Sequence, residues 1–75
     1  MSLNETRKGD LLILESIAGG NGIKKKLRDM GLTPGVAMTV VSAPAFGPMI
    51  IQVRGTRLAL GRGLLANIFV SSGVI

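Results

Sequence analysis

The sequence predicts a mainly β domain: five short strands curled into a closed or nearly closed barrel, with one short α-helix inserted after the first strand. Two alternating runs carry the β part. Val36, Met38 and Val40 oppose Ala37, Thr39 and Val41, and Met49, Ile51 and Val53 oppose Ile50, Gln52 and Arg54. Turn signals rich in Gly and Pro separate the runs. A helical period occurs at Ile23, Leu27 and Met30, spaced i, i+4 and i+7. Five strands in 75 residues favour closure over an open sheet, because closure removes exposed edges.

Taken in order, residues 4–10 are polar and end in the turn signal Gly9-Asp10. Met1-Ser2-Leu3, an opening of the kind expression vectors add, is set aside from the fold argument. Leu11 to Ile17 forms the first strand. Leu12 and Leu14 share one face and Leu11, Ile13, Glu15 and Ile17 the other, so the strand is covered on both sides near its start. It runs into the loop Ala18-Gly19-Gly20-Asn21-Gly22, where Asn21 is the expected N-cap of a helix from Ile23 to Met30. Steps of 100° place Lys24, Arg28, Lys25, Asp29 and Lys26 around the outer side.

The run Leu27-Arg28-Asp29-Met30-Gly31-Leu32-Thr33-Pro34-Gly35 is the most determined backbone in the chain. Gly31 accepts the positive φ that stops a helix, and Leu32 falls where a Schellman cap packs back onto Leu27. Pro34-Gly35 then suits a type II turn into the second strand, Val36 to Ser42. Residues 43–48 form a loop, since two prolines and a glycine break any ladder. Met49 to Arg54 is the third strand and Gly55-Thr56 a two-residue type II′ turn. Arg57 to Leu60 returns with Leu58 and Leu60 inward. Residues 61–67 interrupt the sheet with one helical turn, and Ile68 to Ser71 closes it. The expected division is an arm over 1–8, one domain over 9–71 and an unassigned tail over 72–75.

Composition narrows the function classes. Cys and His are both absent, which removes disulfides, thiol nucleophiles and the zinc patterns built on these residues. The carboxylates Glu5, Asp10, Glu15 and Asp29 are scattered, so no catalytic base, nucleophile and orienting group assemble, and no cofactor or metal site is expected. No leader and no membrane span are visible, and the missing disulfides fit a cytoplasmic home. The formal charge of +5 points to an anionic or acidic partner, or simply to a soluble surface. Nearly half of the residues are apolar, more than so small a core can hide.

With the turns placed, LRDMGLTPG, the strand VAMTVVSA and FGPMIIQVRGTRLALGRGLLANIFV together resemble the ferrous iron transport protein A (FeoA) family. The likeness spans residues 9–71. Its most specific parts are the helix end, with Leu27, Gly31, Leu32, Pro34 and Gly35, and the run Leu58-Ala59-Leu60-Gly61-Arg62 after the Gly55 turn. The resemblance implies an SH3-like barrel and a cytosolic accessory protein that works with FeoB, the ferrous iron permease carrying a GTP-binding domain. The chain departs from many members at Arg62-Gly63-Leu64-Leu65, where a more polar stretch is usual.

The candidate partner surface comprises the basic helix face, Lys24, Lys25, Lys26 and Arg28, together with Arg57, Arg62, Leu64 and Leu65. The three lysines are expected in the first helical turn, where the macrodipole disfavours cations, so helix stability does not account for them. A solvated face is the plain alternative. Arg54, Arg57 and Arg62 are expected to cluster around the last hairpin, and adjacent Leu64 and Leu65 cannot both enter one core, which leaves one beside Phe46 or Phe69. Gly19-Gly20-Asn21-Gly22 lacks the spacing of a phosphate loop. Glu15, in an apolar strand, is expected to pair with an arginine, a metal role being the lesser alternative. Docking on a FeoB-type permease is thus the leading expectation, as a monomer or weak homo-oligomer. A small basic barrel binding RNA or DNA stands as the alternative, opposed by the lack of Tyr and Trp. A metal-sensing module, like the barrel of iron-dependent repressors, is the third.

Overall fold

Every predicted strand forms, and the alternation decides which face is buried. The computed structural model describes residues 1–73. Its elements are β1 (Leu11–Ile17), α1 (Asn21–Asp29), β2 (Ala37–Ser42), β3 (Met49–Val53), β4 (Thr56–Leu60), α2 (Arg62–Leu65) and β5 (Ile68–Ser72), with a short 3-10 turn at Leu3–Glu5. Leu12 and Leu14 of β1, Met38 and Val40 of β2, Met49, Ile51 and Val53 of β3, and Ile68 and Val70 of β5 all point into one core. Leu27 of α1, Leu60 at the end of β4 and Leu65 of α2 join it, as do Leu3, Leu32 and Val36 from outside the strands.

The strands form one antiparallel sheet in the order β4-β3-β2-β1-β5. The expected closure does not occur, and β4 and β5 are the two edges. The link from β4 to β5 passes through α2, so a helical turn stands where the closing ladder would run. The outer side of β5 is occupied instead by the start of the chain. Val70 N–H donates to Met1 O at 2.8 Å, the amino terminus donates to Val70 O at 3.2 Å, and Ser2 bridges Phe69. Leu3 is fully buried, and its carbonyl accepts from Thr6 Oγ1 at 2.7 Å. The opening tripeptide therefore takes part in the fold, against the expectation that it stands outside it. Ser72 lies within β5 and Gly73 N–H donates to Leu11 O at 2.8 Å, while residues 74–75 of the expected tail lie outside the described residues.

The helix end follows the expected geometry. Gly31 has φ +93°, its N–H donates to Arg28 O at 2.9 Å, and Leu32 N–H donates to Leu27 O at 3.0 Å. This is the bond pair of a Schellman cap, with Leu27 and Leu32 both buried. Val36 N–H then closes a turn on Thr33 O at 3.1 Å, with Gly35 at φ +92° in the position where a type II turn needs positive φ. The helix start differs from expectation. Gly20, not Asn21, is the N-cap, without a side-chain bond, and Asn21 is already helical.

Two further turns and breaks correct the sequence expectation. The β3–β4 register pairs Val53 with Thr56, so the turn residues are Arg54 (φ +52°) and Gly55 (φ +79°). Positive φ at both positions is the type I′ signature, one residue earlier than the expected type II′ turn. It leaves β-branched Thr56 in the strand and matches the strand twist. In β1 the register shifts between Leu14 and Ser16, which turns Glu15 and Ser16 outward. Glu15 is exposed, and no ion pair among the described residues includes it, so the expected pairing with an arginine is absent. Among the described residues, no helix is long and apolar enough to cross a membrane.

Three substitutions test this account. Gly31→Ala adds a Cβ with nothing within 4 Å, so its cost is that of the backbone alone, about 1–2 kcal/mol. Leu27→Ala opens a hole beneath the helix and costs about 2–5 kcal/mol. Arg54→Asn creates the preferred Asn-Gly turn and raises stability by several tenths of a kcal/mol. Urea unfolding followed by circular dichroism should shift the midpoint down, further down and slightly up, with the slope unchanged.

Candidate functional site

The helix α1 turns its cations to solvent. Lys24, Lys25, Lys26 and Arg28 are all exposed, while Leu27 is buried and Ile23 and Met30 pack against the core. Because α1 begins at Asn21, the cations lie further along the helix than expected. Lys26 and Arg28 are in the last turn, where the macrodipole favours them. Lys25 Nζ lies 2.9 Å from Asp29 Oδ2, both side chains being largely exposed. Lys26, Arg28 and Lys25 therefore each have a helical reason to be basic. Lys24 has none: it stands four residues before Arg28, a like-charge pair at neighbouring positions.

Lys24 and Arg28 face a groove of about 290 Å³. Across from them stand Glu15, Ser16 and Ile17, the segment that the β1 bulge turns outward. Thr33 and Pro34 of the turn after the helix close one end, over buried Leu32. The groove exists because β1 outruns β2. Residue pairing with β2 covers Leu11 to Ile13, while pairing with β5 continues to Ile17. The gap left beside β1 is bordered by Lys24 and Arg28 of α1. The sequence placed Lys24 and Arg28 on the helix but did not foresee this groove. Its available signals were the like-charged i, i+4 pair and the break in alternation at Glu15-Ser16.

The other candidates lie elsewhere and do not form one cluster. Arg54 is in the hairpin turn and Arg57 is exposed early in β4, whereas Arg62 lies beyond the far end of that strand. Arg62 Nε donates to Gly47 O at 3.0 Å, tying α2 to the 43–48 loop. Leu65 is fully buried and is a core residue, not a partner contact; Leu64 is half-buried against the core. Phe46, on the loop that Arg62 holds, is 91% exposed; the sequence pointed to it only as a neighbour for Leu64 or Leu65. Gly61 caps α2 with φ −63°, open to any residue. Among the described residues no three acidic side chains gather as metal ligands.

The FeoA domain model matches residues 1–72 of the chain. A Methanocaldococcus jannaschii protein named Fe(2+) transport protein A is 34% identical over 64 residues, covering 85% of this chain and 77% of that protein. The chain belongs to the FeoA family. Among solved family members, the crystal structure of an iron uptake regulatory protein (FeoA) is 41% identical and superimposes with a TM-score of 0.88, covering 93% of each chain. Stenotrophomonas maltophilia FeoA, solved with zinc and described as a procaryotic SH3 domain protein, is 25% identical with a TM-score of 0.81, covering 95% of this chain and 89% of that one. The SH3-like fold and the five-stranded antiparallel sheet are thus those of the family, and the family is one of transport accessory proteins.

The helix charges make a prediction. Lys25→Ala removes an exposed ion pair and should change stability by no more than about 0.5 kcal/mol. Lys24→Ala relieves its repulsion with Arg28 and should leave stability unchanged or slightly raised. Denaturant midpoints check both, and a clear loss for Lys24→Ala would show that its side chain supports the fold.

Proposed function

We propose that this FeoA-family chain is a cytoplasmic accessory protein of ferrous iron uptake that acts by docking on a FeoB-type iron permease. The family match over residues 1–72 carries this reading. The docking surface is the exposed face of α1, Lys24, Lys25, Lys26 and Arg28, with Arg57 near the start of β4 and, beyond its far end, Arg62 with the outer part of Leu64 as two separate further contacts. Docking acts through differential binding: the module favours whichever permease conformation it contacts better and shifts the population by that difference. No chemistry on a substrate is required of it. The lack of His and Cys supports this, as does the wide scatter of the four carboxylates.

The test is capture of the full-length permease, in detergent, by wild-type protein and by the Lys24→Ala, Lys25→Ala, Lys26→Ala triple variant. The permease and the module come from one genome, and duplex and single-stranded DNA and RNA serve as competitors. Saturable capture by wild type, weakened at least tenfold in the triple variant and unaffected by nucleic acid, is expected. Nucleic acid binding that collapses at moderate salt, with no capture of permease, would replace this reading with the basic-barrel one.

A further inference from the structure

The groove beside α1 presents charge, apolar surface and strand edge together. Lys24 and Arg28 are both exposed along one wall, and the ion pair of this helix is Lys25 with Asp29, which uses neither. Opposite them stands a single carboxylate, Glu15, so the groove carries an excess of one positive charge. Half-exposed Ile17 and exposed Pro34 give it an apolar lining over buried Leu32. None of the lining residues is aromatic, which leaves nothing for a nucleic acid base to stack on. On the groove side, β1 runs beyond the end of β2, so an extended strand flanks the cavity.

We propose that this groove seats a short extended segment of a protein partner in which acidic and aliphatic residues alternate. Its carboxylates meet Lys24 and Arg28, and its apolar side chain lies on Ile17 and Pro34. Alternation follows from the strand period of two, which sends neighbouring side chains to opposite sides. The Arg28 guanidinium offers a planar fork that matches a carboxylate, and Lys24 supplies a mobile point charge beside it. Binding an anion there also removes the Lys24–Arg28 repulsion of the free helix. Glu15 sets the limit on affinity, because it opposes the same anion. The inference rests on the docking function proposed above in one respect: the occupant is taken to be part of a protein.

A peptide-display selection against the intact protein tests it without any assumption about the permease. Random ten-residue peptides are selected on wild type and on the Lys24→Glu, Arg28→Glu double variant, whose fold is checked by its amide NMR spectrum. Wild type should enrich peptides with acidic residues alternating with Leu, Ile or Val, and the double variant should bind them at least tenfold more weakly. Glu15→Gln should bind them several-fold more tightly. Amide shifts on titration should centre on Ser16, Ile17, Arg28 and Thr33. Enriched peptides without acids, equal binding by the double variant, weaker binding by Glu15→Gln, shifts centred elsewhere, or no enrichment would each overturn the proposal. Permease capture that survives in the double variant would remove the groove from the docking reading and leave that reading intact. Selected peptides that bind the groove while the permease does not bind at all would do the reverse.

Discussion

Both backbone groups of Leu14 are bonded to the turn that follows the helix. Its N–H donates to Val36 O at 2.9 Å and its carbonyl accepts from Gly35 N–H at 2.8 Å. Through this clamp the helix end, the type II turn and the first two strands form one unit. Leu27, Leu32 and Val36 reach the core only because the chain reverses twice within nine residues, at Gly31 and at Gly35. In a domain this small little other core is available to compensate, so the corner sets both where α1 lies and how β2 leaves β1. The groove beside α1 is a by-product of the same corner. Its end wall is the turn, and its long wall is the length of β1 beyond the clamp.

Charge is divided unevenly over this frame. The first 29 residues contain every carboxylate of the sequence together with six cations, whereas the remainder contains Arg54, Arg57 and Arg62 and no acid. Helix α1 joins the two regions, and its last-turn cations are explained by the macrodipole. What folding does not explain is concentrated at Lys24 and at the bulged Glu15-Ser16 segment facing it. At such places side chains serve something other than the protein's own stability. Phe46 is a second one, exposed on the loop that Arg62, just beyond the end of β4, ties to α2.

Much of this architecture was legible because the signals were local. Gly31, Pro34 and Gly35 report their own backbone needs, and Met38, Val40, Met49, Ile51 and Val53 report burial through a period of two. The features that could not be read depend on pairing between distant segments. The type I′ turn at Arg54-Gly55 is set by register, and one residue of slip separates it from the Gly55-Thr56 alternative. The open sheet depends on the path of α2 and on Met1 and Ser2 reaching β5, a contact across almost the whole chain. Leu64 and Leu65 look alike in sequence, and only the direction of a four-residue helix sends Leu65 inward. For the site, the cations could be named but their facing wall could not, because a bulge is a property of two strands together.

The two edges of the sheet are unequal, and this limits how copies of the molecule can associate. One edge is occupied along β5 by the chain's own first residues, while β4 pairs on one side only. A sheet with two bare edges can add neighbours without end; among the described residues, β4 is the edge strand that no other segment covers along its outer side. Two copies meeting there about a two-fold axis would complete each other's ladders and leave nothing to extend, a closed pair in place of a filament. Arg57 is exposed on that edge strand, and a charged side chain beside an open ladder discourages edge-to-edge pairing.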